Sequence, residues 1–371
     1  MSKPRQHILF ANLTAFSATG GLEKFNRTLL YGLNKSVQEG TISATGISLY
    51  DTQVNPAYFT APYIACAGKR MTFMRKFIQL SYKADTIIIG HVNLAVPVLI
   101  KRLLMRRKKI IVVAHGIDIT RFLNKSGRLL LQKCHQIWAV SNYTKQQILQ
   151  RCSVDAQKII VYHNALDPFF ELPNTFQKSS ILLERYGISH STPVIFTLAR
   201  LSATEKDKGY DLVIEALPQV LLHFPNVRYL LAGKANQQEQ QRLQALIEQY
   251  GVQQHVQLIG YVAESEIVAH YQLGNLFIMP SSKEGFGIVF IESMACGVPA
   301  IAGNIDGSVD ALLNGQVGYL VNPKSVANIA ETIVQALSAD TSVSPSQLQE
   351  QMVANFGFDK YYEQLTSLLN N

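Results

Sequence analysis

The sequence predicts an α/β protein built from two doubly wound domains. The length of 371 residues is too great for one ordinary core, since a domain takes about 150 residues. The apolar fraction of 47% and the charged fraction of 16% are typical of a globular chain and exclude a disordered protein, a collagen or a coiled coil. Short apolar runs alternate with amphipathic helical stretches along the whole chain, which indicates parallel sheets covered by helices on both faces.

In the first half, short runs rich in isoleucine, valine and leucine predict buried strands, and helical periodicity separates them. The strands are expected at residues 7–13, 45–49, 86–89, 110–114, 137–140 and 158–161. The clearest helical stretches are residues 22–35, 70–82 and 142–151. No apolar run approaches the roughly 18 residues that a membrane-spanning helix needs.

The alternation of predicted strands and helices is interrupted near residues 167–173, where Pro168 and Pro173 predict a linker that continues to about residue 191. It then resumes, with strands expected at residues 194–198, 228–232, 255–259, 276–279 and 300–302. A polar loop at 338–347 and a last helix at 359–369 follow. We therefore expect one domain over residues 1–170 and a second over 171–355, with a ligand in the cleft between them.

Charge divides unequally between the two halves. Residues 1–175 contain 23 Lys and Arg against 8 Asp and Glu, whereas residues 176–371 contain 11 against 18. Two stretches, 69–78 and 101–109, mix these cations with methionine or aromatic residues. Such helices can lie on an anionic membrane surface at about 1 kcal/mol per cation, although two solvated helix ends explain them too. RNA binding is disfavoured because no stacking platform is visible.

The N-terminal residues and the cysteines indicate in which cellular compartment the protein is expected. The first seven residues are polar and show no secretory signal. Four cysteines stand far apart and form no C-x-x-C pair, so we expect them to be reduced and structural. Both observations favour a cytoplasmic location, and with the basic first half they favour peripheral attachment to the inner face of the membrane.

Two junctions between a strand and a helix could bind anions. Gly20 and Gly21 precede a helix whose free N–H groups can face an anion, although about half of such turns have only a structural role and bind no ligand. Arg200 follows a strand of the second half, and Lys208 precedes the next helix. The two cations could converge on a diphosphate, or they could belong to a solvated basic loop.

The segment from Met279 to Pro299 is the strongest feature. It runs from a strand end through a glycine-rich turn, with Glu284 at the turn, into a helix that carries Glu292 eight residues later. We place the two glutamates two helical turns apart on the same side. The backbone of Gly285–Gly287 can offer N–H groups to a sugar or phosphate, and Glu292 can accept hydrogen bonds from a vicinal diol such as a ribose.

This segment resembles the E-x7-E signature of the retaining glycosyltransferases of family four (group 1), whose fold is GT-B. Other blocks resemble the family's motifs in the same order over nearly the whole chain. They are Gly20-Gly21-Leu22-Glu23, His115-Gly116-Ile117-Asp118, Val140-Ser141-Asn142, residues 161–167, Arg200 with Lys208-Gly209, Gly260-Tyr261-Val262, residues 306–321 and residues 356–359.

The resemblance implies a GT-B fold of two Rossmann-like domains facing a cleft, with the last helix, in 356–371, returning to the first domain. It implies a metal-independent hexosyltransferase that moves a sugar from a UDP- or GDP-linked donor to a lipid-linked or saccharide acceptor, in the synthesis of cell-surface polysaccharide, lipopolysaccharide or glycolipid. The chain has no Asp-x-Asp motif and no His/Cys cluster with metal spacing. No cofactor is expected beside the sugar nucleotide, and no nucleic-acid partner.

The resemblance also assigns residues to roles. The catalytic residues are His115, Arg200, Lys208 and Glu284. The donor-binding residues are Gly21, Arg200, Lys208, Gly260, Tyr261, Glu284, Gly285, Phe286, Gly287, Ile288 and Glu292. The acceptor-binding residues are Gly20, Gly21, Glu23 and His115.

The sequence departs from the family pattern at several positions, and these leave alternatives open. Lys206 rivals Lys208 as the phosphate lysine because the interval from Arg200 is about two residues longer than usual. Lys234 either contacts phosphate or is a surface residue. Asp306 and Asp310 stand where glycine and glutamate are usual. A sugar-nucleotide epimerase on the same scaffold and a non-catalytic partner subunit are the alternative functions.

Overall fold

A computed structural model describes residues 6–104, 108–121, 123–203, 206–339 and 343–370, with the side chains of 100–104 excepted. The chain forms two compact units. Unit 1 comprises Met1–Phe169 and Phe356–Asn371, and unit 2 comprises Phe170–Asn355. Each unit is a parallel sheet whose strands are joined by helices.

Unit 1 contains a seven-stranded sheet within the described residues. Its strands are β1 (Gln6–Asn12), β2 (Ile42–Ser48), β3 (Tyr63–Ala65), β4 (Thr86–Ile89), β5 (Lys109–Ala114), β6 (Gln136–Ala139) and β7 (Ile159–Val161). The strand order is β3-β2-β1-β4-β5-β6-β7, and every pair is parallel. Because right-handed connections leave β1 in both directions, helices cover both faces of the sheet.

The helices of unit 1 lie between these strands. They are α1 (Gly21–Gln38), α2 (Arg70–Ser81), α3 (Ala95–Leu104), α4 (Ile117–Thr120), α5 (Lys125–Lys133) and α6 (Asn142–Arg151). The central strands are buried on both faces, and β4 shows why the sequence favours a strand there. Its three consecutive isoleucines, residues 87–89, have no exposed surface. A continuous β-branched run of this kind is typical of a parallel strand covered on both sides.

Unit 2 contains a six-stranded sheet within the described residues, in the order β10-β9-β8-β11-β12-β13. Its strands are β8 (Val194–Leu198), β9 (Arg228–Ala232), β10 (Val256–Gly260), β11 (Leu276–Met279), β12 (Ala300–Gly303) and β13 (Tyr319–Val321). Its helices are α7 (Ser180–Tyr186), α8 (Tyr210–Leu221), α9 (Gln237–Gln249), α10 (Ile267–Leu273), α11 (Ile288–Ala295), α12 (Ser308–Ala311), α13 (Val326–Ser338) and α14 (Pro345–Phe356).

The last helix, α15 (Phe358–Asn370), packs on α1 within unit 1. The Tyr361 ring stacks on the Tyr162 ring, with 4.5 Å between centroids. A Cβ atom at Gly32 would lie 2.7 Å from the Leu365 side chain, so a glycine lets the two helices approach closely. The prediction that the chain ends by returning to its first half is confirmed.

The predicted pair of doubly wound sheets is confirmed, and the differences lie at its margins. The proposed linker contains α7, which begins at Ser180, and α14 begins at Pro345 inside the predicted polar loop, where proline suits a first helical turn. The three-residue strands β3 and β13 were not predicted because such short runs carry too little apolar periodicity.

Three further predictions concern a membrane-spanning helix, the second basic stretch and the cysteines. Within the described part of the chain, no helix has the length and hydropathy required to span a bilayer. Of the second basic stretch, 101–109, the side chains of residues 101–107 lie outside the described residues. The four cysteines are buried and unpaired with one another.

Candidate functional site

The carboxyl edge of the unit 2 sheet is where a ligand site is expected. The strands leave β8 in both directions, towards β9 and towards β11. The loops that follow β8 and β11 therefore diverge to opposite faces and leave a crevice at the carboxyl ends of these two neighbours. Arg200 follows β8, and Glu284 follows β11.

The turn before α8 and the turn after β11 are packed together. The first is a 3-10 helix, Lys206–Lys208, followed by Gly209 with a φ of 77°. A Cβ atom at Gly209 would overlap the carbonyl oxygen of Pro280 and lie 2.9 Å from its carbonyl carbon. The Ser282 N–H donates to the Asp207 carbonyl over 2.8 Å. The two turns therefore form one structural unit.

The Lys208 ammonium group forms a hydrogen-bonded ion pair with the Glu284 carboxylate. Their side chains are 26% and 18% exposed, so a ligand can still reach both. Lys206 is exposed, as is Arg200. Of the two lysines that the sequence left as rivals, the structure places Lys208 against Glu284.

Both backbone groups of Glu284 are held by the loop that follows β12. Its N–H donates to Oδ2 of Asp306 over 2.7 Å, and its carbonyl accepts from the Gly307 N–H over 2.8 Å. The Ser281 hydroxyl also donates to Oδ2, and the Ser308 N–H donates to Oδ1 over 3.0 Å. Burial raises the pKa of Asp306 to about 6, while these hydrogen bonds favour its ionised form.

The segment Gly285–Ile288 is buried along its whole length and leads into α11. Phe286 and Ile288 are 1% and 5% exposed as whole residues, and Gly287, with a φ of 88°, precedes the first residue of α11. The first N–H groups of a helix have no partner within the helix. This segment can therefore offer N–H donors next to Glu284.

Glu284 stands in the turn, as the sequence predicts, but fewer than two helical turns separate it from Glu292. Because α11 begins only at Ile288, Glu284 lies in the preceding turn and not on the helix. Glu292 is fully buried in α11, and its Oε2 accepts a hydrogen bond from the Tyr271 hydroxyl over 3.0 Å. Its proposed contact with a ribose stays a prediction.

The remaining predicted residues of unit 2 lie farther along the same edge. Gly260 ends β10 with a φ of 74°, and the Tyr261 side chain is 61% exposed. Since β10 is two strands from β8, these residues lie about 10 Å along the sheet from the Arg200 strand. Lys234 follows β9 and is exposed, which leaves both of its interpretations open.

A partly buried network of side chains, which the sequence did not indicate, holds the loop after β8. The Tyr210 hydroxyl accepts from the Ser202 N–H over 3.1 Å and donates to Glu239 over 2.7 Å. Arg242 bonds Glu239 and both carboxylate oxygens of Asp211. The helical spacing of Glu239 and Arg242 could have indicated an ion pair, but only the fold brings Tyr210 between Glu239 and the loop.

In unit 1, His115 follows β5 and is held in one tautomer. Its Nε2 lies 2.8 Å from the Gly90 carbonyl oxygen, which can only accept, so Nε2 carries the proton and Nδ1 is an acceptor. Burial, with the neighbouring His91 ring, lowers the pKa of His115 to about 3. The imidazole is therefore neutral at pH 7 and can accept a hydrogen bond from a hydroxyl group.

Two buried residues near this histidine shape its surroundings. Oδ1 of Asp118 accepts from the His115 N–H over 2.9 Å, and burial raises the pKa of Asp118 to about 7. The Phe25 ring of α1 lies edge-on to the His115 ring, with 5.0 Å between centroids. The histidine is thus packed into the unit through both its backbone and its ring.

Asp51, which no sequence motif indicated, organises the loop after β1. Its buried carboxylate accepts from the N–H groups of residues 15–17, the Thr14 hydroxyl and the Tyr63 hydroxyl. Burial raises the pKa of Asp51, but these bonds, that from Tyr63 first, outweigh burial and bring the pKa below its ordinary value. The sequence feature that could have indicated this role is an acidic residue three positions beyond the end of β2.

The loop held by Asp51 leads into the predicted acceptor residues. Gly20 has extended backbone and Gly21 begins α1. A Cβ atom at Gly20 would lie 2.7 Å from a carboxylate oxygen of Glu23, so the Glu23 side chain folds back over the helix start. The structure therefore brings Gly20, Gly21 and Glu23 together at one helix N-terminus.

Across the described ranges, no group of three or more His, Cys, Asp or Glu side chains could hold a metal ion. The residues of the candidate site are instead cations, carboxylates and backbone N–H groups. Such a set suits an anionic ligand that also carries hydroxyl groups.

Comparison with known families agrees with this chemistry. The family described as "Glycosyl transferases group 1" matches residues 180–355, and the one described as "Glycosyltransferase Family 4" matches residues 20–169. The chain belongs to glycosyltransferase family four. The two matched regions correspond to unit 2 and unit 1 of this family-four chain.

Relatives and solved structures extend the comparison. A GDP-mannose-dependent α-(1-6)-phosphatidylinositol monomannoside mannosyltransferase of Mycolicibacterium smegmatis is 34% identical over 164 residues, which are 42% of this chain and 41% of that protein. An N-acetyl-α-D-glucosaminyl L-malate synthase of Bacillus anthracis is 25% identical over 68% of this chain and 66% of that one. The match thus spans about two fifths of the mannosyltransferase.

The solved structures show the fold. Anabaena HepE in complex with UDP and glucose has a TM-score of 0.76 at 21% identity, and the match covers 99% of this chain and 100% of that one. The lipopolysaccharide outer core galactosyltransferase WaaB has a TM-score of 0.75 at 16% identity, covering 98% and 99%. The family-four chain has the GT-B fold that the sequence predicted.

Proposed function

We propose that this chain is a retaining glycosyltransferase that moves a hexose from a nucleoside diphosphate sugar to an acceptor hydroxyl in glycolipid or cell-surface polysaccharide synthesis. The ion pair of Lys208 and Glu284, at the sheet edge where Arg200 also emerges, carries the proposal. It puts a cation for a phosphate and a carboxylate for sugar hydroxyls side by side.

The chemical difficulty is the departure of a diphosphate from an oxocarbenium-like carbon. Arg200 and Lys208 neutralise the negative charge that grows on the leaving phosphate. An ammonium group has three N–H donors, so Lys208 can bind phosphate without releasing Glu284. The N–H groups of Gly285–Gly287 add partial positive charge, and the reaction needs no metal ion at this site.

The other residues of unit 2 orient the donor. The Glu284 carboxylate accepts hydrogen bonds from the sugar hydroxyls, and Glu292 accepts them from the ribose. Gly260 and Tyr261 contact the base, for which an exposed aromatic ring is suited by stacking. Because Glu292 is fully buried and bonded to Tyr271, a ribose can reach its carboxylate only if the residues that cover it move.

Unit 1 provides the acceptor side of the proposal. The neutral His115 can accept a hydrogen bond from a sugar hydroxyl at Nδ1 and so help to orient it. Gly20, Gly21 and Glu23 form the acceptor loop. The named mannosyltransferase and synthase relatives, with the UDP and glucose of HepE, support a UDP- or GDP-linked hexose as donor.

A thermal-shift series tests the donor class. The full chain is heated with UDP, GDP, ADP, UDP-glucose and GDP-mannose, and we expect one nucleotide and its sugar to raise Tm by several degrees. Ligand at 100 times Kd stabilises the folded state by about 2.7 kcal/mol. The Lys208→Ala variant should show a smaller shift with the same ligand. No shift with any nucleotide, or epimer formation from the donor without an acceptor, would contradict the proposal.

We also propose that α2 attaches the chain to an anionic membrane surface, on the cytoplasmic face where a lipid-linked acceptor is presented. The helix buries Phe73 and Phe77 in unit 1. Its outer face exposes Arg70, Arg75 and Met71, the last of which is 76% exposed. Cations around an exposed apolar side chain suit an anionic bilayer.

Sedimentation with vesicles tests this attachment. At about 1 kcal/mol per cation, Arg70→Glu with Arg75→Glu should weaken binding to phosphatidylserine-containing vesicles at low salt by about 30-fold or more. The matched control is Arg128→Glu with Lys133→Glu on α5, exposed residues of the same unit with the same change in net charge. Equal loss in both pairs, or no binding by the unaltered chain, would contradict a specific role for α2.

A further inference from the structure

We propose that Asp306 is the positioning residue for Glu284, a role that rests on the proposed function of the donor site. Asp306 stands where the family usually has glycine, so the sequence alone left it without a role. In the structure, its carboxylate contacts the backbone of the residue that would bind the donor sugar. The whole family cannot share this contact, because the glycine that usually stands at this position has no side chain with which to make it.

The contacts of Asp306 join the turn after β11 to the start of α12. Oδ2 accepts from the Glu284 N–H over 2.7 Å and from the Ser281 hydroxyl over 2.8 Å, so it links the start of the turn after β11 to its middle. Oδ1 accepts from the Ser308 N–H over 3.0 Å, and the Ser308 hydroxyl lies 2.5 Å from it and 3.0 Å from the Gly303 carbonyl. The carboxylate therefore ties this turn to the start of α12.

The next residue completes the clamp. The Gly307 N–H donates to the Glu284 carbonyl over 2.8 Å. A Cβ atom at Gly307 would overlap the Gly285 carbonyl and lie 2.9 Å from the Glu284 oxygen. The N–H and the carbonyl of Glu284 are thus bound by consecutive residues of one loop, which restricts the backbone on both sides of its Cα atom.

A clamp of this kind determines where the Glu284 carboxylate points. The turn after β11 has no regular secondary structure between Met279 and Ile288, so its backbone position depends on such contacts. Asp306 is 2% exposed and does not need to touch the ligand. It acts through Glu284, and a displacement of about 1 Å at a residue that positions substrate can cost about 100-fold in rate.

A double-mutant cycle with Glu284 separates this role from general stability. We expect Asp306→Ala to lower kcat/KM for the sugar nucleotide by about 10- to 100-fold, while the affinity for the nucleoside diphosphate without sugar falls by a clearly smaller factor, because Glu284 contacts the sugar and not the phosphate. In a Glu284→Gln background, Asp306→Ala should cost less than about threefold further, because the residue it positions has already lost its function. Asp306→Asn keeps one acceptor oxygen and should fall between the unaltered chain and Asp306→Ala.

Ser325→Ala is the stability control, since it removes a hydrogen-bonding N-cap from α13 elsewhere in unit 2. It should lower Tm and leave the kinetic constants unchanged. Additive effects of Asp306→Ala and Glu284→Gln, equal loss of nucleoside diphosphate and sugar-nucleotide binding, or normal kinetics in Asp306→Ala would each overturn the proposal. If Asp306→Ala does not fold, the cycle is run with Asp306→Asn. Failure of the proposed function itself would appear as no transfer by the unaltered chain.

Discussion

Lys208→Ala is expected to lower kcat/KM for sugar transfer by about 30- to 1000-fold. Removing a cation that stabilises charge on a leaving phosphate costs about 2–4 kcal/mol in the transition state. The same substitution leaves the Glu284 carboxylate without the ammonium group that pairs with it in the structure. Arg200→Ala should lose activity over a similar range. The measurement is steady-state transfer with the donor identified by thermal shift.

The adjacent Lys206 supplies a matched control. It has the same charge, lies two residues away in the same 3-10 turn and is exposed. Lys206→Ala should keep kcat/KM within about threefold, since surface charge changes away from a site have small effects. If Lys206→Ala loses activity and Lys208→Ala does not, the phosphate lysine is Lys206. If Lys208→Ala and Arg200→Ala both transfer sugar normally, the assignment of these two residues to the donor site is wrong.

Gly209→Ala should cost more in folding stability than any other substitution discussed above. A left-handed backbone costs a residue with a Cβ atom about 1–2 kcal/mol. Here the Cβ atom would also overlap the Pro280 carbonyl, so the total loss should be about 3–5 kcal/mol. Because the clash pushes the two turns apart, it should also separate Lys208 from Glu284 and lower kcat/KM by about 100-fold or more. Thermal unfolding midpoints and transfer rates check both effects.

Gly251→Ala isolates the effect of backbone conformation. Gly251 has a φ of 67°, close to the 77° of Gly209, but a Cβ atom there would meet nothing within 4 Å. This control should therefore lose only about 1–2 kcal/mol and keep normal transfer. Equal midpoints for the two variants would mean that the contact with Pro280 is unimportant.

Some features of the site were predictable because they depend on short stretches of sequence. The strand of three isoleucines at 87–89, the glycine-rich turn at 285–287 and the Gly20-Gly21 junction are local patterns. The strand prediction is confirmed, and both glycine turns lie at helix starts. The tautomer of His115 was not predictable, since it depends on the Gly90 carbonyl 25 residues away.

The sequence by itself determined the two doubly wound sheets and the segments that reach their carboxyl edges, because hydrophobic periodicity acts over a few residues. Only the tertiary structure chose Lys208 over Lys206 as the partner of Glu284, buried Glu292 against Tyr271 and gave Asp306 its contacts. The ion pair joins residues 76 positions apart, and the Asp306 bond joins residues 22 apart. Such contacts depend on which strands become neighbours, so no local pattern contains them.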